Sequence, residues 1–338
     1  MNSQMKKSDY LLLLPSLVPI IVLFLVPLVY AFQLIFTTPE RVGGQPVYTD
    51  NTYEYHYSAG PNRFLQIDTE TGAETGLMLT PFEVRSQSDE YKVKASIGIQ
   101  NIKTFFTERR YYISIYNTLA LVLPATLIQI ALAFSMAYFL RGKIKGKMMY
   151  KTLIIFPLTL GSLIIAGGMT NFFRAGGWFN TALMALDIIN EPLTILFTYW
   201  GTLIAVIIGG TPFLFSGFLP ICESIDPNLE TAAKTLGANG LKTFTKVFLP
   251  LAIPSMISII SLNMVLNMAT YPSAVLVGDP TNTTRVLTVV AFEEFRENMN
   301  FNMAATAAFV LVIMQASLMA ILQVVRKRFY IGFGGSFK

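Results

Sequence analysis

The chain of 338 residues has few of the side chains on which most enzymes and most stapled secreted domains depend. Its one cysteine, Cys222, excludes an internal disulfide, and its one histidine, His56, leaves little for metal binding or acid–base chemistry. Charged residues make up only 13% of the chain, about half of the roughly 25% typical of soluble domains. Because 53% of the residues are hydrophobic, the composition excludes a soluble enzyme and indicates a membrane protein.

Charged residues are absent from six long stretches instead of being thinned evenly along the chain. The stretches are Tyr10–Pro39, Tyr111–Leu140, Thr152–Phe173, Pro192–Cys222, Val247–Gly278 and Asn298–Val325. Each can hold the roughly 20 helical residues that cross a hydrocarbon core about 30 Å thick. We therefore predict an all-α polytopic membrane protein with six transmembrane helices. The predicted spans cover residues 11–36, 114–140, 152–172, 194–219, 248–270 and 304–325.

The basic residues lie unevenly around these spans. Fourteen of the 25 lysines and arginines flank the spans on one side, whereas the short connections on the other side hold only Arg174, Arg285 and Arg296. Basic residues beside span ends remain in the cytoplasm. We therefore expect both termini to be cytoplasmic and the protein to lie in the plasma (inner) membrane. Since topology explains the basic excess, no nucleic-acid partner is expected.

Residues 38–96 form a small polar insert between spans one and two, and the predicted orientation places it outside the cytoplasm. Residues 64–79 contain two β-prone segments around a glycine-containing turn, which predicts a hairpin. His56 lies among tyrosines here, and we interpret it as a surface histidine. The sequence has no metal-ligand spacing and no nucleophile motif, so we predict neither a metal site nor a catalytic residue.

Strongly polar side chains are rare within the predicted spans. Asn263 and Asn267 stand four residues apart and so share one face of span five, while Gln129 lies in span two. In a bilayer such amides either join helices or line a polar path. Thr211 is a further candidate, because it lies beside Pro212 where a kink is expected. Gln129, Thr211, Asn263 and Asn267 are thus candidate pathway-lining residues, with helix association as the alternative.

Span four also carries small residues at four-residue spacing. Gly201, Ala205 and Gly209 fall on one helix face, a pattern that lets a second helix approach closely. We therefore expect a tight helix–helix contact along this face.

The connection 223–250 is the most patterned segment of the chain. Asp226 followed by Pro227 is a strong helix start, and Gly237 stands where a helix commonly ends in a left-handed turn. A second helix then leads into span five through Leu249 and Pro250. A short helix, a glycine turn and a second helix form either a knob that docks on another protein or an amphipathic loop that lies on lipid.

This segment resembles the EAA loop of ABC-importer permeases. The family pattern runs Glu-Ala-Ala, three residues, Gly and, about nine residues later, an apolar-x-Leu-Pro ending. The residues that match in register are Ala232, Ala233, Gly237, Leu249 and Pro250. Thr231 departs from the pattern by standing at the glutamate position, next to Glu230. The likeness extends over residues 97–325, through Gly98-Ile-Gln-Asn101 and the segment 176–181 among others.

The resemblance implies a transport function and a set of partners. Members of the family pair with a second permease subunit, here expected to be a different chain, and receive solute from an extracytoplasmic binding protein. Two cytoplasmic ATPase subunits hold the ATP and Mg²⁺, so this chain is expected to bind no cofactor and to be no enzyme. The residues expected to couple it to the ATPases are Asp226, Glu230, Ala232, Ala233, Gly237, Lys242, Leu249 and Pro250.

The resemblance also divides the chain. Residues 1–37 hold the N-terminus and first span, 38–96 the insert, 97–325 the transport domain with its coupling loop at 223–250, and 326–338 a cytoplasmic tail. The sequence of residues 223–238 resembles the spermidine/putrescine branch of these permeases most, with sugar permeases as the alternative. A channel or secondary transporter that works without an ATPase is the alternative of another class, although no span carries the ionisable residue such a carrier usually uses.

Overall fold

The computed structural model describes residues 19, 21–39, 41–42, 45–49, 52–58, 63–79, 92–93 and 95–334. These residues belong to two compact units. The first comprises residues within Met1–Glu108 and Glu294–Thr306, and the second those within Arg109–Glu293 and Ala307–Lys338.

The first unit begins with an apolar helix and continues into strands. A π-helical turn, Ile21–Leu25, leads into α1, Val26–Ile35, which carries no charged residue. The end of α1 is held by the amide of Asn101, whose Nδ2 donates to the carbonyls of Ile35 at 3.0 Å and Thr37 at 2.9 Å. Within predicted span one, 11–36, residues 11–18 and 20 lie outside the described residues.

All the described strands fall between Thr37 and Ile97. They are β1 Thr37–Pro39, β2 Arg41–Val42, β3 Gln45–Pro46, β4 Tyr48–Thr49, β5 Tyr53–Ser58, β6 Arg63–Asp68, β7 Glu74–Leu79, β8 Lys92–Val93 and β9 Ala95–Ile97. Five of them form one antiparallel sheet in the order β7-β6-β5-β4-β8, while β1 pairs with β9 and β2 with β3. The predicted hairpin is confirmed as β6 and β7.

The hairpin turn is built by one carboxylate. Asp68 Oδ1 accepts hydrogen bonds from the backbone N–H groups of Glu70 and Thr71, both at 2.9 Å, and Gly72 follows with a φ of +66°. These donors, chiefly the backbone N–H of Thr71, lower the pKa of Asp68. The side chain of His56 lies on β5, half-buried, with Nε2 3.1 Å from Glu54 Oε2.

Helices and the loops that join them make up the rest of the described chain. They are α2 Gln100–Thr107, α3 Arg109–Leu140, α4 Lys147–Phe173, α5 Trp178–Ala185, α6 Tyr199–Ser224, α7 Pro227–Thr235, α8 Gly240–Thr243, α9 Leu249–Met268, α10 Tyr271–Leu276, α11 Leu287–Arg296 and α12 Phe301–Gly334. Five helical segments are long and apolar enough to cross a membrane: Arg109–Leu140, Lys147–Ala185, Tyr199–Ser224, Gly240–Met268 and Phe301–Arg328. They coincide with predicted spans two to six, so the polytopic helical class is confirmed at this coarser level.

The core of the second unit forms around α6. This helix packs mainly on α3 and also on α4 and α9. Its large side chains Leu214, Phe215 and Phe218 are fully buried and join Phe248 in one apolar cluster. By contrast, few residues in the apolar stretch of α4, and none in that of α12, are buried within the chain. In a bilayer such faces meet lipid or another subunit.

The structure differs from the expected course of two spans. Pro212 lies within an uninterrupted α6, and the break falls instead at Gly161 in α4, whose φ of 73° and ψ of 159° are not helical. Prolines are tolerated in membrane helices because neighbouring groups satisfy the freed backbone. A positive φ is readily adopted by glycine alone, so Gly161 can break a helix without large strain. The helix is thus continuous through Pro212, and the break in the backbone lies at Gly161.

Candidate functional site: a helical knob and an amide-lined cavity

The first candidate site is the helical knob, residues 226–248, which joins α6 to α9. Its first helix, α7, begins at Asp226, whose Oδ1 accepts from the N–H of Asn228 at 2.9 Å. It ends at Gly237, which has a φ of +86°. The N–H groups of Gly237 and Ala238 bond back to the carbonyls of Lys234 at 2.9 Å and Ala233 at 3.0 Å. This closes the helix as a Schellman turn, and the helix start and end predicted from the sequence are confirmed.

The second half of the helical knob runs without interruption into α9. Asn239 starts α8 by accepting from the N–H of Lys242 at 2.8 Å. A π-helical turn, Phe244–Phe248, connects α8 to α9 directly before Pro250. Pro250 has no N–H to offer the carbonyl of Lys246 four residues earlier, and the wider turn falls at this place. Leu249 and Pro250 thus lie within one continuous helical segment, Gly240–Met268.

The tip of the helical knob is apolar and exposed. No residue of α7 is buried. Leu229, Leu236 and Leu241 are 46%, 88% and 72% exposed. Ala232 is exposed beside them and Ala233 is half-buried. A rigidly capped element that presents leucines outward has the form of a docking surface, although the alternative of contact with lipid shares this feature.

The inner side of α7 carries an ion pair that the sequence does not reveal. The two oxygens of Glu230 face Nη1 and Nη2 of Arg141, at 2.5 Å and 3.0 Å, in a bidentate arrangement. The guanidinium of Arg141 also lies over the rings of Tyr138 and Phe248, 4.2 Å and 4.3 Å from their centroids. Desolvation is the largest influence on the pKa of Arg141 and lowers it, but the hydrogen bond and charge of Glu230 together raise it above its usual value.

Glu230 and Thr231 therefore differ in their surroundings. Thr231 is exposed, and its hydroxyl donates to the carbonyl of Pro227 at 3.2 Å within α7. Glu230, by contrast, is turned toward Arg141 of its own chain. The carboxylate next to the family's usual glutamate position is thus satisfied within the chain.

A second ion pair lies beside the first. Lys147 Nζ is 2.7 Å from Glu223 Oε1 and 3.3 Å from the carbonyl oxygens of both Arg141 and Gly142. It ties the start of α4 to the end of α6 without touching α7. The basic connection 141–151 is therefore bound to the segment around the helical knob at two points.

The second candidate site is an amide cluster where α3, α6 and α9 meet. Gln129 on α3 is fully buried, and its Nε2 donates to the carbonyl of Val206 at 2.7 Å. Its Oε1 accepts from Nδ2 of Asn263 at 2.7 Å and Nδ2 of Asn267 at 2.8 Å. Asn267 Nδ2 also lies 3.1 Å from Thr126 Oγ1. Because a carbonyl can only accept, the Val206 contact fixes the orientation of the whole cluster.

One oxygen of the cluster is left without a partner. Asn263 Oδ1 is buried and accepts no hydrogen bond from the described residues. Asn263 and Asn267 border a cavity of about 200 Å³ in the second unit. The cavity lies between α4, α6, α9 and α10, and its other lining residues include Gly161, Gly209 and Gly210.

The structure separates the four candidate pathway residues into groups. Asn263 and Asn267 border the cavity, whereas Gln129 lies behind them and joins three helices. Thr211 donates to the carbonyl of Ile207 in its own helix, at 2.6 Å, and does not border the cavity. Helix association and cavity lining therefore coexist in one cluster, and a role in a pathway stays a prediction.

The sequence reasoning missed Arg141, Gly161 and Gly210. Gly210, not its neighbour Gly209, is the residue against which Gln129 packs. Arg141 offers a partial signal, since it is the first charged residue after a charge-free stretch of 30 residues, Tyr111–Leu140. Nothing local distinguishes Gly161 or Gly210 from the other glycines of the spans.

Comparisons with known proteins agree with this architecture. The sequence profile of the family described as binding-protein-dependent transport system inner membrane component matches residues 129–330. The spermidine/putrescine transport system permease protein PotB of Escherichia coli (strain K12) is 29% identical over 185 residues, which cover 54% of this chain and 66% of the relative. PotB of Haemophilus influenzae is 32% identical over 166 residues, covering 48% and 57% of the two chains. The sulfate transport system permease protein CysT of Salmonella typhimurium is 25% identical over 185 residues, covering 54% and 64%.

Solved structures show the same fold. A chain of a bacterial ABC transporter involved in the import of the acidic polysaccharide alginate superposes with a TM-score of 0.60 at 18% identity, covering 69% of this chain and 84% of that one. A chain of the MetNI methionine ABC transporter superposes with a TM-score of 0.52 at 15% identity, covering 65% and 96%. This chain spans less than two thirds of the length of the curated relatives. The matched family profile covers more than half of it, and the protein belongs to the family of binding-protein-dependent transport system inner membrane components.

Proposed function

We propose that this chain is the transmembrane permease subunit of an ABC importer and forms half of the path of a small polar solute. The observation that carries the proposal is the helical knob, a capped helix with exposed leucines that leads directly into a long apolar helix. In this function the knob binds a cytoplasmic ATPase subunit, and closure of the ATPases on ATP drives alternating access. The coupling residues are the eight predicted above: Asp226, Glu230, Ala232, Ala233, Gly237, Lys242, Leu249 and Pro250.

One helical segment joins the knob to the cavity. The segment Gly240–Met268 is continuous and carries Asn263 and Asn267 near its far end. From Gly240 to Asn263 it rises about 35 Å at roughly 1.5 Å per residue. A displacement of the knob therefore moves the amides that border the cavity, which is what alternating access requires of a lever.

The proposed assembly contains more than this chain. It comprises a second, non-identical permease subunit, two ATPase subunits that hold ATP and Mg²⁺, and an extracytoplasmic binding protein that delivers the solute. This chain itself binds no cofactor and has no ATPase site. The exposed apolar face of α4, which includes Leu153, Leu163 and Ile164, offers a surface for the second permease subunit or for lipid.

The proposed topology follows from the charge distribution. Six spans cross the plasma (inner) membrane, with both termini in the cytoplasm and residues 38–96 outside. The five long apolar helices and the shorter apolar helix Val22–Ile35 support the count of six. The helical knob then lies on the cytoplasmic side, where an ATPase can reach it.

We propose a polyamine-like solute, because the relatives named above include spermidine/putrescine permeases. Asn263 and Asn267 border the cavity, and an amide oxygen suits a solute that donates hydrogen bonds, as an ammonium group does. A sugar is the second candidate, because the described lining of the cavity has amides and no carboxylate. A sugar hydroxyl donates to an amide oxygen equally well.

A channel or secondary transporter is the alternative of another class. Ion-coupled carriers usually hold ionisable residues within their spans. Charge-free spans and a capped, exposed helical knob favour dependence on an ATPase instead.

Recovery of an ATPase subunit in mild detergent tests the proposal. We expect the ATPase to copurify with the chain from its host, and the double variant Leu229→Asp, Leu236→Asp to lose it. Ile144→Asp is the matched control, since Ile144 is an exposed apolar residue of the neighbouring connection outside the helical knob. An ATPase that never copurifies, or equal loss with the control, contradicts the proposal.

Solute class is tested separately by uptake. We expect cells that lack the chain to lose uptake of labelled spermidine and to keep uptake of a labelled disaccharide. Loss of disaccharide uptake alone favours the sugar alternative, and unchanged uptake of both removes the polyamine assignment.

A further inference from the structure

The Glu230–Arg141 pair is largely buried and has a specific geometry. The carboxylate meets the guanidinium with both oxygens, at 2.5 Å and 3.0 Å. The guanidinium lies over two aromatic rings, of which Phe248 is fully buried. A planar guanidinium that stacks on fixed rings presents its N–H groups in one direction only. The pair therefore has one geometry, and that geometry holds α7 in one orientation.

Thermodynamic stability is a poor explanation for such a pair. The side chains of Arg141 and Glu230 remain 23% and 14% exposed. An ion pair taken largely out of water loses hydration that offsets its Coulomb attraction, so such a pair is weak evidence of a gain in the free energy of unfolding. The structural feature that the pair supplies is position: it joins a helix with no buried residue to the first residue after α3.

Arg141 also takes part in one of two connections between α3 and α9. At the amide cluster, Gln129 of α3 is bonded to Asn263 and Asn267 of α9. Near the other end, Arg141 follows α3 and stacks on Phe248, the residue before α9, while it binds Glu230. The two connections lie 12 residues apart along α3, about 18 Å at roughly 1.5 Å per residue. Two such connections restrain the motion of α3 relative to α9.

We propose that Glu230 and Arg141 form a latch that transmits the displacement of the helical knob to α3 as well as to α9. Glu230 is thus a positioning residue that acts through Arg141 and does not contact the ATPase. The inference rests on the proposed function, because it assigns the latch to the coupling step of the importer. Without the latch, α7 pivots at Gly237, and part of the ATPase motion is lost before it reaches the cavity.

Variants of the two residues test the latch in the complete importer, reconstituted in proteoliposomes with its ATPases and binding protein and supplied with labelled spermidine. Glu230→Gln puts an amide N–H group against the guanidinium and removes the bidentate pair. We expect about five-fold less solute transported per ATP hydrolysed, with ATPase copurification unchanged. Glu223→Gln is the matched control, because it removes the neighbouring pair with Lys147 without touching α7, and we expect little change.

A charge swap separates the ion pair from a general structural effect. We expect Glu230→Arg to lower transport per ATP as strongly as Glu230→Gln, and its combination with Arg141→Glu to restore part of the loss. The restoration is partial because a glutamate cannot stack on Tyr138 and Phe248. Absence of any restoration overturns the latch.

A distance measurement tests the latch without any solute. Nitroxide labels at Thr231 and Ser135, both exposed, report the position of α7 relative to α3. We expect a narrow distance distribution in the wild type and in Glu223→Gln, and a broad one in Glu230→Gln. Equal widths, or loss of the ATPase from Glu230→Gln, overturn the latch. An unaltered importer that binds no ATPase contradicts the proposed function itself, so the two failures are distinct.

Discussion

Two adjacent glycines of α6 allow a matched test of the amide cluster. A methyl group at Gly210 meets Gln129 Cδ at 2.8 Å and Asn267 Oδ1 at 3.0 Å, and lies closer still to Gln129 Nε2. A methyl group at Gly209 meets nothing within 4 Å. Gly210→Ala therefore pushes on Gln129, whereas Gly209→Ala changes only the helix propensity.

The expected magnitude follows from the hydrogen bonds that Gln129 must give up. Its side chain is fully buried and holds Val206, Asn263 and Asn267 at 2.7 to 2.8 Å, so it cannot withdraw and keep all three bonds. Hydrogen bonds between membrane helices average about 0.6 kcal/mol each. Loss of three costs about 2 kcal/mol. Both variants gain the same propensity from glycine to alanine, about 1 kcal/mol, so it cancels in the comparison.

Thermal unfolding in detergent measures the difference between the two variants. For a chain of this size, 2 kcal/mol corresponds to a Tm about 3 °C lower for Gly210→Ala than for Gly209→Ala. Shortening the glutamine provides the control: in a Gln129→Ala background the two alanine variants should have equal Tm values. Equal Tm values in the wild-type background refute the packing of Gln129 against Gly210.

Three further predictions concern the turns at Gly237 and Asp68. Gly237 has a φ of +86°, so Gly237→Ala should loosen the helical knob by about 1–2 kcal/mol, seen as faster amide exchange in α7, while Gly240→Ala should not. Gly237→Pro cannot adopt this φ and should uncouple ATP hydrolysis from transport without preventing membrane insertion; normal uptake would contradict the coupling role. The pKa of Asp68 is lowered below its value of 3.8 in the unfolded chain, so the turn should be fully stabilised above about pH 4 and lose stability as the pH falls through the lowered pKa. Amide exchange at Thr71 measures this loss of stability. In Asp68→Asn, the stability of the turn should no longer depend on pH in this range.

Features set by neighbouring residues were predictable from the sequence. The ends of α7 depend on contacts within five residues, such as Asp226 with Asn228 and Ala238 with Ala233, so the pattern alone located them. The spans were predictable because their apolar runs are long. Their edges were less so: α3 begins at Arg109, before the charge-free stretch, because long basic side chains at a helix end can reach the polar interface.

Features set by distant residues were not predictable. Spacing placed Asn263 and Asn267 on one face, but their partner Gln129 lies more than 130 residues away along the chain. The same limit applies to the glycines, because four-residue spacing favoured Gly209 while the close contact is made by Gly210. Successive residues of a helix lie about 100° apart around its axis. A spacing rule therefore selects a helix face but does not decide which of two neighbouring glycines makes the close contact.

The basic connection 141–151 illustrates how one residue can serve two roles at different times. Under the proposed topology, its five basic residues orient the spans during insertion, before the folded contacts exist. In the folded chain, Arg141 and Lys147 bind Glu230 and Glu223, so their charges are no longer available to a partner. Removal of Arg141 alone leaves four basic residues in the connection, enough to preserve its side of the membrane. Its loss should therefore disturb the latch while the orientation of the spans is kept.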